Sequence, residues 1–314
     1  MRRLLHHRPW LITLAVLLLL AAVNTALQPS FVQPAVLQSN LTTFLPLILV
    51  AIGQTYVILA GDIDLSVGSI VALSNVVTVS VFAALGNGSE AIPYGMAAGL
   101  ATGLLVGLLN GVLVSVLRLQ PIVTTFATGI VLAGAAIWVL PQAGLPVPDA
   151  YWMAYSGTVL GVPTVLLILA AAAVCVAILS RSVFHAHLLA VGGNRAGAFQ
   201  TGLSVVRLRI LAYALSGLFS AIAALCLTGE TASGDPLLGG ALALSAISAV
   251  VLGGTALSGG QGGAVGSILG ALVLGLIGNV IFFAGLPFEY QTLVQGLIVL
   301  LALAGGVVVT RRTA

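Results

Sequence analysis

Two carboxylates two residues apart, Asp62 and Asp64, stand in a largely apolar region as part of Gly61-Asp-Ile-Asp-Leu-Ser-Val-Gly-Ser69. Groups of this type at this spacing suit three kinds of chemistry. Near a membrane interior they could carry a proton or small cation. They could also hold Mg²⁺ against a lipid phosphate, but such a site wants further polar or basic groups nearby, and this stretch has none. The structural alternative has Gly61 ending one helix and Asp64 or Ser66 capping the free N–H groups of the next, with the charges at the favourable end of its dipole. It is compatible with a pathway role, in which Asp62, Asp64, Ser66 and Ser69 line a translocation route or helix junction and the carboxylates stay near water.

Other motifs are weaker. Leu257-Ser-Gly-Gly-Gln261 spells the signature of an ATP-hydrolysing transporter subunit, but a phosphate-binding Walker loop needs a lysine and the chain has none, so a glycine-rich turn between two spans is a sufficient account. His185 and His187 are two apart and point to different faces of a helix, while His6 and His7 lie in a basic flank, so no metal site is expected. Cys175 and Cys226 lie inside apolar runs and behave as small hydrophobes.

The elements that must position Asp62 and Asp64 are membrane helices. At 60% hydrophobic and 5% charged, the chain is far from the roughly 25% charged residues of a soluble domain. Runs long enough to cross a bilayer number about ten: Trp10 to Leu27, Thr43 to Ala60, Leu65 to Leu85, Pro93 to Leu117, Pro121 to Leu140, Leu160 to Leu179, Ile210 to Thr228, Ala241 to Ala256, Ala264 to Phe283 and Gln291 to Val309. The first could pass for a secretory signal and is read as an uncleaved span. All ten cationic side chains are arginines: Arg2, Arg3 and Arg8, then Arg118, then Arg181, Arg195, Arg207 and Arg209, then Arg311 and Arg312. They fall in alternate gaps, which are therefore expected to be cytoplasmic, as are both termini. The net charge of +3 thus reports orientation and does not describe a nucleic-acid surface. Five of the seven acids, Glu90, Asp149, Glu230, Asp235 and Glu289, occupy the opposite gaps, and only Asp62 and Asp64 break the pattern.

Gly95, Gly99, Gly103, Gly107 and Gly111 recur at every fourth position and open one helix face to close approach, and Gly262, Gly266 and Gly270 repeat the device. Gly107-Leu-Leu-Asn-Gly-Val112 and Gly275-Leu-Ile-Gly-Asn-Val280 hint at internal duplication. Tyr94, Tyr151, Trp152, Tyr155, Phe288 and Tyr290 are expected to form an outer aromatic belt, and the outer segments 29–42 and 142–157 are long enough for short interfacial helices. The inner gap from Arg181 to Arg209 carries four arginines and no acid, so it is expected to be exposed. Within it Asn194 is a helix cap, Gly202 a terminator, and Phe199 an apolar ring suited to docking another protein.

Taken together, Gly61 to Ser69, Leu109-Asn-Gly111 leading to Pro121-Ile-Val-Thr-Thr125, Gly192-Gly-Asn194 with Gly202-Leu203, and Val251-Leu-Gly-Gly-Thr-Ala-Leu-Ser-Gly-Gly-Gln261 resemble the membrane permeases of ribose-type ABC importers, whose relatives carry xylose, other monosaccharides and autoinducer-2. The resemblance covers essentially the whole chain. It implies an all-α polytopic fold like that of type II ABC importers, a single transmembrane domain over residues 1–314, and residence in a bacterial inner membrane. It also implies a second permease subunit, identical or not, two cytoplasmic ABC ATPase domains and a periplasmic or extracellular sugar-binding protein. ATP and Mg²⁺ would be used by the partner subunit, with no cofactor in this chain and no enzymatic activity of its own. By the same resemblance the loop 181–209 docks the ATPase through Asn194, Arg195, Ala196, Phe199, Thr201 and Gly202. The chain departs from the family at Asp62, where glycine is usual, and at Ser245, where an acid is usual. Branched-chain amino acid permeases share the superfamily, but the run Ile63 to Gly68 looks like the sugar branch. The alternative is an ion-coupled secondary transporter using Asp62 and Asp64.

Overall fold

The computed structural model describes residues 10–285 and, beyond them, 287, 290, 293, 294, 296, 297 and 300. Most of the expected tenth span, Arg2, Arg3, Arg8, Arg311, Arg312, His6, His7, Phe288 and Glu289 lie outside the described residues. The helices, in chain order, are α1 (Trp10–Leu27), α2 (Pro34–Leu59), α3 (Val67–Ala84), α4 (Ile92–Ser115), α5 (Pro121–Val139), α6 (Asp149–Ser156), α7 (Thr164–Ser180), α8 (Val183–Gly193), α9 (Arg195–Gln200), α10 (Val205–Thr231), α11 (Leu242–Leu252) and α12 (Ala264–Phe283). Four two-residue strands, β1 (Leu145–Pro146), β2 (Thr158–Val159), β3 (Val162–Pro163) and β4 (Ser233–Gly234), pair antiparallel as β1 with β4 and β2 with β3.

Among the described residues seven helices are long and apolar enough to cross a membrane, or eight if the pair α7–α8, bent by 68°, is one crossing. The expected run Ala241 to Ala256 does not form a full span. Its helix, α11, has 11 residues, so at about 1.5 Å per residue it covers roughly half of a 30 Å hydrocarbon core. The chain leading into it is extended and turned, because Pro236 and Gly239, the latter at φ 93°, interrupt the helical pattern.

The centre is built by α2 and α10. Every residue from Phe44 to Ala60 except Leu47 is buried, as suits a helix apolar all round, and α2 packs against α7, α10, α11 and α12. The glycine ladder on α4 faces α10 and α3. A Cβ on Gly103 would strike the Gly217 carbonyl, one on Gly107 the Tyr213 carbonyl, and one on Gly95 the Phe82 ring. Gly217 returns the contact against Gly103, so the two backbones touch with no side chain between them. The second ladder repeats the arrangement in α12: Gly266 lies on Gly253, and Gly270 on Ala249 of α11.

The expected aromatic belt holds only in part. Tyr94 and Tyr290 are exposed, but α6 folds back over the end of α10 and buries Tyr151 and Tyr155. The Tyr151 hydroxyl donates to the Leu225 carbonyl at 2.8 Å and its ring lies 5.3 Å from that of Phe82, while Gly229 makes room for Tyr155.

Candidate functional site

The break between α2 and α3 forms because Gly61, at φ 80°, adopts the left-handed turn that closes a Schellman motif: its N–H bonds the Ile58 carbonyl and that of Asp62 the Val57 carbonyl. This reversal sends the chain back up beside α2. Gln54, with its amide turned to satisfy both bonds, accepts from the Asp64 N–H and donates to the Asp64 carbonyl, each at 3.2 Å. Thr125 of α5 accepts from the Leu65 N–H at 3.0 Å, its hydroxyl also lying 3.3 Å from the Ile63 carbonyl. Non-helical backbone at membrane depth has to be satisfied within the protein, and here side chains of α2 and α5 do so.

The two carboxylates do different things. Asp62 receives both Arg209 Nε at 2.7 Å and Arg209 Nη2 at 3.0 Å, and Arg195 Nη2 at 3.0 Å. Arg195 also donates to the Ala60 carbonyl at 3.0 Å, and Arg209 Nη1 to the Val114 carbonyl at 3.3 Å. One carboxylate therefore ties α9, the start of α10, the end of α2 and the end of α4. Asp64 has no cationic partner among the described residues. Its Oδ1 accepts from the Ser66 N–H and hydroxyl at 2.9 and 2.6 Å, and its Oδ2 from Ser216 at 3.3 Å.

Three expectations are corrected here. Neither Asp64 nor Ser66 caps the first amides of α3, because the Ser66 hydroxyl is held between Asp64 and the Asn110 amide, which donates to it at 2.8 Å. Nor do the carboxylates stand near water: Asp62 is 2% and Asp64 0% exposed, which guanidinium pairing and hydrogen bonding permit. The basic gap is not wholly exposed either, since α10 begins at Val205 and buries Arg209 against Asp62. Ser69 is half-buried, its hydroxyl turned towards Gly129 of α5.

In α9, Asn194 Oδ1 accepts from the Gly197 N–H at 2.9 Å, and Gly202, at φ 84°, ends the turn. Ala196 and Thr201 are exposed, Ala198 is buried, and Phe199 presents a ring that is 73% exposed. Arg195, at the first position of this helix, is the link to Asp62. Sequence reading found both ends of this connection and missed that they join. The available signal was charge: an acid pair without a base in its own gap, and four bases without an acid in theirs.

The Leu257 to Gln261 turn was missed as a structural participant as well. Gly259 and Gly260, at φ 84° and 73°, press against Gly61 and against Gly192 and Gly193, and the Gly260 N–H bonds the Leu59 carbonyl at 3.1 Å. A Cβ on Gly192 would strike the Leu59 carbonyl. Three glycine turns thus meet backbone to backbone beside the Asp62 pair. His185 lies with its ring centre 6.5 Å from that of Tyr56, and no cluster of three His, Cys, Asp or Glu side chains stands together among the described residues.

Residues 36–303 match the family described as branched-chain amino acid transport system / permease component. The chain is 36% identical over 290 residues to the ribose import permease protein of Bacillus subtilis (strain 168), covering 91% of this chain and 89% of that one. It is 33% identical over 307 residues to the ribose import permease protein of Escherichia coli (strain K12), covering 94% of each. The L-arabinose transport system permease protein of Escherichia coli (strain K12) is 36% identical over 256 residues, covering 81% of this chain and 77% of that one.

Proposed function

The chain belongs to the branched-chain amino acid transport system / permease component family, and from that premise we propose that it is the membrane-spanning permease subunit of an ATP-driven importer for a small sugar. The observation that carries this is similarity along nine-tenths of the chain to permeases named for ribose, joined by one named for L-arabinose. Ribose, arabinose or a comparable monosaccharide is the cargo, delivered by an external binding protein. Two such permease subunits form the conduit, the Asp62 end facing the cytoplasm. ATP and Mg²⁺ are consumed by separate ATPase subunits.

The contact region supports this division of labour. Helix α9 offers Phe199 outward as an anchor for a partner's apolar pocket, while Arg195 binds the same helix to Asp62 and Ala60. Displacement of α9 by an ATPase therefore pulls on the α2–α3 break and, through Arg209, on α4 and α10. Coupling by an ion gradient finds less support, because Asp62 is paired with two guanidinium groups and Asp64 is enclosed by bonds from Ser66 and Ser216.

The test is uptake of labelled D-ribose and L-arabinose into vesicles holding the chain with its ATPase and binding protein. Uptake that requires all three components is expected. Accumulation by the isolated chain along an ion gradient would overturn the reading.

A further inference from the structure

At the far end of α10, Ala232 adopts a left-handed conformation, φ 52°, and turns the chain back into the bundle. It then runs down beside α3 without forming a helix. Gly234 packs on Val79, the Asp235 N–H donates to Asn75 Oδ1 at 2.8 Å, and Gly239 packs on Gly68 and Val71. At about 1.5 Å per residue along α3, Asn75 lies roughly 14 Å and Gly68 roughly 24 Å from the Ala84 end. In a hydrocarbon core about 30 Å thick that α3 crosses, the chain at Gly239 has passed the middle.

This irregular segment is not covered. Leu237 is 72% and Leu244 68% exposed, Gly240 and Ala241 are exposed, and Ser245 is half-buried. The N–H groups of Gly240 and Ala241 find no acceptor among the described residues. Bare non-helical backbone cannot face lipid; at this depth it lies against protein or water. The exposed groups are unpaired donors beside two leucines, and the one charge in the segment, Asp235, is turned to the Leu237 N–H at 2.8 Å. That combination suits a neutral polyol, whose hydroxyl oxygens accept hydrogen bonds and whose C–H face lies on apolar side chains.

The geometry points to residues 237–241, with Leu244 and Ser245, as a wall of the aqueous route taken by the transported sugar. This rests on the reading of the chain as a sugar permease. The test places single cysteines at Leu237, Ala241, Ser245 and, as a control on an exposed apolar face of regular helix, Val131 of α5, in a Cys175→Ser, Cys226→Ser background of the assembled importer. A charged, membrane-impermeant methanethiosulfonate reagent is expected to modify the first three and spare Val131→Cys. Turnover with D-ribose or L-arabinose should slow that modification several-fold. Ala241→Trp should cut uptake at least tenfold while the complex still assembles. Absence of modification, or modification indifferent to any transported sugar, would overturn the assignment. Parallel uptake by the unsubstituted complex separates the two levels. Its failure with both sugars counts against the sugar-permease reading, whereas uptake with inert cysteines counts against this wall alone.

Discussion

Two interruptions of helix lie along α3, and they solve the same problem in opposite ways. At residues 60–66 backbone polar groups are met by Gln54 and Thr125, the Asp64 carboxylate by Ser66 and Ser216, and that of Asp62 by two arginines. At residues 235–241, among the described residues, Asn75 alone reaches in with a side chain, Asp235 turns to its own segment, and two amides are left open. Polar groups deep in a bundle are costly unless paired, so a sealed break reads as a brace and an open one as a surface meant for something polar.

The largest expected effect tests the sealed side. Gly192→Val drives a branched side chain into the Leu59 carbonyl and the Gly260 backbone, where neither can yield, and should destabilise the protein by about 3 kcal/mol or more. Thermal unfolding in detergent would register it as a large fall in Tm, and an unchanged Tm would show that the three glycine turns are not in contact. Next comes Asp62→Ala, which strands the buried Arg209 guanidinium and should cost on the order of 3 kcal/mol. Arg195→Ala, whose side chain is about half exposed, should cost about 1 kcal/mol or less yet loosen the link between ATP hydrolysis and uptake. Equal losses from both substitutions would refute the idea that Arg209 holds the brace and Arg195 transmits through it.

On the open side, Asn75→Ala removes the acceptor of the Asp235 N–H and a donor to Thr228, with an expected loss of about 1–2 kcal/mol. If the segment lines a route, uptake should fall further than that modest loss of stability explains, which a comparison of transport rate with assembled protein would reveal. Smallest in stability is Phe199→Asp, since the ring is exposed: the fold should be unmoved while ATP hydrolysis and uptake separate. Unchanged uptake would remove α9 from the coupling path.

Much of this was legible in the chain. The ends of α1 and α12 fall where hydropathy places them, and Asn194 and Gly202 bound α9 as local capping chemistry requires. The glycine spacing named a face, though not its partners, since a ladder says only that something comes close. What stayed hidden was non-local. That Asp62 and Arg209, 147 residues apart, form a pair depends on how α2 and α10 are brought together, and apolar periodicity carries no such information. The descent at 235–241 was hidden for another reason. A sliding count of apolar residues marks a stretch as buried without fixing its backbone, so the run from Ala241 to Ala256 read as a full span although only Leu242–Leu252 is helical, and residues 235–240 read as a connector outside it.

The seam in which Gly103 and Gly217 meet main chain to main chain has a mechanical consequence. Helices that touch through side chains can shift by letting rotamers change, but here there is nothing to rearrange, and a half-step along the axis would drive peptide into peptide. Whatever rocking accompanies a transport cycle must therefore carry α4 and α10 as one rigid beam, with the give confined to joints elsewhere, such as the 68° elbow between α7 and α8.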